Sequence, residues 1–190
     1  MPENATRRRC WQPDGMTSTE LAARIAARSH LTGEFVLRSG ATATEYFDKY
    51  LFEADPVLLS DIADALAPLT GEPDALAGLE LGGVPIAVAL SRVTGLPSLF
   101  VRKEAKPYGT RRLAEGGEVE GRRLLIVEDV VTSGGQIIAS VNALRDRGAV
   151  VERAICVIDR EAGGPANLAE AGVELSALFT MTELRAGLNR

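Results

Sequence analysis

The residues best suited to chemistry lie together at 124–136, which read LLIVEDVVTSGGQ. The apolar run Leu124 to Val127 predicts a strand that delivers Glu128 and Asp129 to its carboxyl end. The chain then turns through Thr132, Ser133, Gly134 and Gly135 into a helix. Such a turn offers successive backbone N–H groups, two hydroxyls and the positive end of a helix, which together suit a phosphate monoester. Two neighbouring carboxylates suit vicinal hydroxyls or a hydrated Mg²⁺, since both seek oxygen acceptors. A molecule with phosphate at one end and a cis-diol at the other is a ribose 5-phosphate. A solvated acidic strand end with an ordinary helix cap is the bland alternative, and the order of strand, acid pair and Thr-Ser-Gly-Gly speaks against it. The G-x-x-x-x-G-K-[ST] and G-x-G-x-x-G patterns of the commoner nucleotide sites are absent.

Three further segments carry charge or flat apolar surface. Residues 100–109, FVRKEAKPYG, place Arg102, Lys103 and Lys106 at the start of a stretch without hydrophobic period. Cations on a loop that can close stabilise a negatively charged leaving group and exclude water. Residues 35–40, FVLRSG, followed by Glu45-Tyr-Phe-Asp48, set Arg38 near Tyr46 and Phe47, a cation beside a flat wall that suits a planar anion. Arg160 follows the apolar run Val150–Ile158, where an ion pair with Asp159 or Glu161 is the structural alternative.

The elements that must position these residues are legible in outline. Thr17-x-x-Glu20 is a capping box, and Leu21, Ile25 and Ala26 form one face of the helix behind it, which ends near Ser29 with His30 as its C-terminal cap. Strands are expected at Glu34–Arg38 and around Tyr46–Asp48. Asp55-Pro56 starts a helix carrying Leu58, Leu59, Ile62 and Leu66. Apolar strands at Ala75–Leu81, Ser98–Arg102, Leu124–Val127, Val150–Ile158 and Val173–Phe179 alternate with helices at Val84–Thr94, Gly134–Arg147 and Pro165–Ala171, and residues 103–120 carry no period. That alternation predicts an α/β fold, a parallel β-sheet covered on both faces. In such sheets ligands bind beyond the carboxyl ends of the strands, which is where Gly82, Gly83, Glu128, Asp129 and Arg160 fall.

Composition removes other classes. The 190 residues carry 21 Lys+Arg against 26 Asp+Glu, a net charge of −5, which argues against generic nucleic-acid binding. Cys10 and Cys156 cannot build a disulfide framework or a four-thiolate zinc site, and a single His30 excludes chemistry that needs two. No apolar run approaches the ~20 residues of a membrane span, and Arg7, Arg8 and Arg9 have no apolar stretch behind them. The expectation is a cytoplasmic protein without a membrane segment, with a loose tail at 1–16 and a single domain at 17–190. Cys156 reads as a buried, inert hydrophobe.

The segment 124–136 resembles the 5-phosphoribosyl-1-diphosphate (PRPP) signature of the type I phosphoribosyltransferases. Residues 102–106 resemble the catalytic loop of the orotate phosphoribosyltransferases, and residues 35–48 resemble the segment with which that family covers orotate. The resemblance runs from about 17 to 180. It implies the type I phosphoribosyltransferase fold, with residues 17–52 and part of the C-terminus forming a small hood over the site. It also implies Mg²⁺-dependent transfer of ribose 5-phosphate from PRPP to orotate, in pyrimidine (UMP) biosynthesis. By that resemblance Glu128 and Asp129 hold the ribose hydroxyls, Thr132, Ser133, Gly134 and Gly135 cradle the 5-phosphate, and Val130 and Val131 also belong to the PRPP site. Gly82, Gly83, Arg102, Lys103 and Lys106 meet the diphosphate, and Arg38, Tyr46, Phe47, Thr132 and Arg160 meet orotate. Lys103, Glu128 and Asp129 carry the catalytic roles. Mg²⁺ is held by PRPP and water near Glu128 and Asp129, without direct protein ligands. A homodimer in which loop 102–118 crosses the interface is also implied. Two positions depart from many members: Tyr108 stands where a His is usual, and Gly82 where a Lys precedes the glycine of the pyrophosphate turn. A phosphoribosyltransferase for purines or another base would keep 124–136 without needing Arg38 and Arg160, and a non-catalytic PRPP sensor would need a basic face.

Overall fold

The computed structural model describes residues 16–36, 40–104 and 112–188. Cys10, Trp11, Arg38, Lys106 and Tyr108 therefore lie outside the described residues. Helix α1 (Ser18–Ser29) opens on the capping box: the Thr17 hydroxyl accepts from Glu20 N–H, and the Glu20 carboxylate accepts from Thr17 N–H. His30 occupies its C-cap position and begins β1 (His30–Val36), which pairs antiparallel with β2 (Thr42–Phe47). The first strand thus starts four residues before the position that the sequence suggests. Its residues are half-buried or exposed, so no apolar alternation marks it. A one-and-a-half-turn helix, α2 (Lys49–Glu53), follows under the Asp48 side-chain cap and has no counterpart in the sequence reading. Asp55 then caps α3 (Pro56–Leu66), accepting from Val57 and Leu58 N–H.

The remaining chain builds a six-stranded sheet from β3 (Ala75–Leu79), β4 (Ser98–Val101), β5 (Ala114–Glu115), β6 (Arg123–Val131), β7 (Val150–Asp159) and β8 (Glu174–Thr180), in the order β5-β4-β3-β6-β7-β8. All neighbours are parallel except the short edge strand β5, which pairs antiparallel with β4 inside the stretch expected to lack structure. Helices α4 (Gly83–Thr94), α5 (Gly135–Arg145) and α6 (Gly164–Glu170) connect the strands. A last helix, α7 (Met181–Leu188), returns to α1, where a Cβ on Gly187 would touch the Ala23 backbone. This is the α/β architecture expected from the alternation.

Period two explains why the central strands are apolar throughout. Leu125 and Val127 join one core cluster with Ile25, Phe52, Ile62, Ile86 and Leu90, whereas Leu124 and Ile126 join the other with Leu79, Ile137, Val141 and Leu168. Cys156 is buried in the second cluster, where burial pushes its thiol pKa well up. Among the described residues no helix is long and apolar enough to cross a membrane.

From β3 the chain moves one way to β4 and then jumps back to β6 on the other side, so the strand order reverses between β3 and β6. The crevice beyond that reversal is the ligand position of open α/β sheets. It stays narrow because α4 begins at Gly83, where a Cβ would collide with the Val127 carbonyl oxygen of β6. Backbone cannot step aside as a side-chain tip can. Gly83→Ala should therefore lower folding stability by about 1–3 kcal/mol, read as a lower urea midpoint with an unchanged slope. An unaltered midpoint would show that α4 and β6 are not held this close.

Candidate active site

Three turns meet at the carboxyl end of the sheet: 80–82 after β3, 132–134 after β6, and Arg160 after β7. Gly134 takes a left-handed conformation (φ 79°) that lets the chain enter α5 directly, leaving Thr132, Ser133 and Gly135 exposed around the helix start. The turn is fastened on both sides. Asn167 donates to the Ser133 carbonyl, Arg160 N–H donates to the Val131 carbonyl, and the Gln136 amide donates to the Glu80 carbonyl. The free N–H groups of the first α5 turn thereby face outward from a rigid frame, the arrangement that binds a phosphate.

The acid pair lies inside β6 rather than past its end. The ladder continues through Val130 and Val131, which pair with Ile158 and Asp159, because β7 is equally long. Adjacent strand residues normally face opposite ways. Here the longer Glu128 side chain folds back so that its Oε1 accepts from Asp129 N–H. Asp129 is fully buried, with Oδ1 accepting from Val130 N–H and Oδ2 at 2.5 Å from the Lys49 ammonium. Glu53, one helical turn after Lys49, is buried beside the same carboxylate.

Three carboxyls therefore share one ammonium, and they divide unequally. Burial, reinforced by Asp129, pushes Glu53 up to about 8. Burial, again reinforced by Asp129, raises Glu128 well above the usual glutamate range. Burial also works against an ionised Asp129, but hydrogen bonds from Glu128, Lys49 and Glu53 outweigh it and hold the group low. Half-burial disfavours the Lys49 charge, yet Asp129 more than compensates and raises its pKa. Lys49 and Glu53 were missed in the sequence. The available signal was Asp48, a helix cap that places positions 49 and 53 on one face.

Gly82 meets the same carboxylate. A Cβ there would collide with Asp129 and come within 2.7 Å of Glu53 Oε1. Any side chain at this position, the lysine usual in the resembled family included, would require the ends of Asp129 and Glu53 to shift.

Arg102 and Lys103 leave β4 on an anchored path. Arg102 N–H donates to the Leu113 carbonyl, its Nε lies 3.7 Å from Glu115, and Lys103 N–H donates to the Glu80 carboxylate. The loop's described beginning and its return through β5 are thus pinned, while Lys103 itself is exposed. Tyr46, Phe47 and Arg160 line one cleft of about 550 Å³ together with His30, Met181 and Arg185. Tyr46 stacks on Phe35 at 5.4 Å between ring centroids. The structural alternative for Arg160 fails: Asp159 accepts from Glu161 N–H, Glu161 accepts from Thr182, and neither carboxylate pairs with Arg160.

The donor set fits magnesium in one way only. Among the described residues no group of three or more His, Cys, Asp or Glu side chains could hold a metal ion directly, and an ammonium already sits on Asp129. Oxygen acceptors of this kind suit a hydrated Mg²⁺ delivered by a phosphate ligand and contacted through its water.

Residues 53–171 match the family model described as the phosphoribosyl transferase domain. An orotate phosphoribosyltransferase from Nocardioides sp. is 53% identical over 167 residues, covering 87% of this chain and 93% of that protein. The chain belongs to the orotate phosphoribosyltransferase family. A second member, from Halobacterium salinarum, is 47% identical over 171 residues, covering 89% of this chain and 98% of its own. The solved orotate phosphoribosyltransferase from Aeropyrum pernix superposes with a TM-score of 0.77 at 33% identity, over 89% of this chain and 98% of that one. The Mycobacterium tuberculosis orotate phosphoribosyltransferase in complex with PRPP superposes at 0.76 with 27% identity, over 88% and 98%. The phosphoribosyltransferase fold implied by the resemblance is the fold of this chain.

Proposed function

We propose that this phosphoribosyltransferase moves ribose 5-phosphate from PRPP to a ring nitrogen of orotate, giving orotidine 5′-monophosphate and pyrophosphate in pyrimidine biosynthesis in the cytoplasm. The carrying observation is that Arg160 shares a cleft with Tyr46 and Phe47, beside the turn that suits a phosphate. A cation facing a flat aromatic wall fits a planar carboxylate better than a neutral base.

In this reading Thr132 to Gly135 cradle the 5-phosphate, chiefly through backbone N–H groups and the Thr132 and Ser133 hydroxyls, with Val130 and Val131 lining the PRPP site. Glu128 and Asp129 accept from the ribose 2- and 3-hydroxyls, and Gly82 and Gly83 lend backbone N–H groups to the diphosphate. Orotate lies against Tyr46 and Phe47, with Arg160, Arg38 and the Thr132 hydroxyl as polar partners. Arg102, Lys103 and Lys106 close over the diphosphate, placing positive charge where negative charge grows as the C1–oxygen bond loosens. The orotate nitrogen attacks the opposite face of C1, with inversion. No strong protein base is needed, and positioning and charge placement supply most of the rate. Mg²⁺, held through water near Glu128 and Asp129, neutralises diphosphate charge when bound. Residues 17–52 with α7 act as the hood, and the working unit is a homodimer in which loop 102–118 reaches the partner's site.

Orotate consumption followed by ultraviolet absorbance, with PRPP and Mg²⁺ each omitted in turn, tests the reading. Turnover should require both and should fail with uracil, xanthine or hypoxanthine. Preferential turnover of a purine base would replace orotate as the acceptor.

A further inference from the structure

Lys49 enters the site from a helix outside every motif that points to PRPP, and it covers the carboxylate on which the ribose is to sit. Asp129 has 0% of its side chain exposed, whereas the Lys49 side chain is 34% exposed, with its ammonium 2.5 Å from Oδ2. The function proposed above, on which this inference rests, needs Asp129 to accept a hydroxyl hydrogen bond, and no hydroxyl reaches an oxygen without accessible surface. The ammonium must yield. In PRPP the diphosphate hangs on C1, the carbon next to the one that bears the 2-hydroxyl. An ammonium leaving Asp129 therefore has anionic oxygens within a side chain's swing. Gly82, where an added Cβ would meet the same carboxylate oxygen, contributes no side chain of its own. The only other ammonium or guanidinium groups assigned to the diphosphate stand on the 102–106 segment, where Arg102 lies beside Glu115.

We propose that Lys49 is a further substrate-binding residue whose ammonium passes from Asp129 to the diphosphate of PRPP as the ribose hydroxyls take its place on the carboxylate. The exchange leaves no ion bare. Asp129 trades one donor for others, and Lys49 trades a carboxylate for a phosphate oxygen. The Tyr50 ring, with its centroid 5.2 Å from Nζ, flanks the ammonium without fixing it through a second hydrogen bond.

Calorimetric titration with magnesium pyrophosphate, a probe that has the diphosphate but no ribose, separates this role from mere support of Asp129. Lys49→Met should weaken pyrophosphate binding about ten- to hundredfold, the loss expected for one charge-assisted hydrogen bond. It should raise the KM for PRPP in step and leave the KM for orotate unchanged. Lys49→Arg, which keeps the charge, should retain most of the affinity and guards against a variant that fails to fold. If Lys49→Met binds magnesium pyrophosphate as tightly as the parent protein while PRPP binding weakens, the lysine only holds Asp129 in place and the proposal is overturned. Unchanged binding of both ligands overturns it as well. A parent protein that binds magnesium pyrophosphate but consumes no orotate would sink the function proposed above, while the same pair of titrations still decides the part played by Lys49.

Discussion

Asp129→Asn should lower kcat/KM for PRPP by about 100-fold or more, because one charge-assisted hydrogen bond to a ribose hydroxyl is worth about 1.5–3 kcal/mol and the amide brings a second penalty. The carboxylate is gripped at both oxygens, by Val130 N–H at Oδ1 and by Lys49 at Oδ2. Both partners are donors. An asparagine offers one acceptor and one donor, so either orientation sets its NH₂ against an N–H or an ammonium. Lys49 would then be drawn to Glu53 or Glu128, ionising a carboxyl that burial and Asp129 otherwise keep protonated. The variant thus loses the acceptor proposed for the sugar and moves the local cation as well. Its stability should fall too, since removing one partner of a buried pair strands the other. Steady-state kinetics at saturating orotate, with a thermal melt beside them, measure both effects. A kcat/KM close to that of the parent would mean that Asp129 does not meet the sugar.

The parts of this site that were legible in the sequence are those whose chemistry and local geometry coincide. In 124–136 the same residues that form the strand, the turn and the helix start also supply the acids and the N–H groups, so order along the chain stood in for position in space. The boundary was misplaced because Glu128 and Asp129 look like a strand end, whereas pairing with the long β7 carries the ladder to Val131. Arg160 was placed at a strand end for the same local reason, and its freedom from Asp159 and Glu161 depended on Thr182, twenty-odd residues away in α7. Lys49 and Glu53 escaped because α2, at five residues, is too short to show a period. β5 escaped for the same reason, two residues being below any pattern. Gly82 shows the limit most clearly. Its missing side chain reads as a lost cation in the sequence and as space kept for the Asp129 carboxylate in the fold.

Replacing Glu53 with Gln should flatten the dependence of stability on pH between about 5 and 8, and it should make the variant more stable than the parent at the upper end. The sign follows from proton counting. Burial and the neighbouring Asp129 raise the folded-state pKa of Glu53 from 4.5 to about 8. Between those values the folded protein holds a proton that the unfolded chain has lost, so stability is greatest toward the lower value and drains away as pH rises through the window. A shift of this size corresponds to a few kcal/mol at about 1.36 kcal/mol per unit, and with Glu53 only 7% exposed, solvent screening takes little from it. Glutamine keeps the shape and an N–H donor toward Asp129 but has nothing to ionise, so this contribution to the slope vanishes. Glu128, raised in the same direction, leaves a residual slope, while the lowered Asp129 acts only below the usual aspartate range and Lys49 only in strong alkali. Urea unfolding of parent and variant at pH 5, 6.5 and 8 would show the two curves meeting at the acid end and separating toward pH 8. Parallel curves would mean that Glu53 is ionised in the folded protein throughout. Lys49 would then divide its charge between two buried carboxylates, and the fixed pairing with Asp129 that keeps a single ionised acceptor within β6 would not hold.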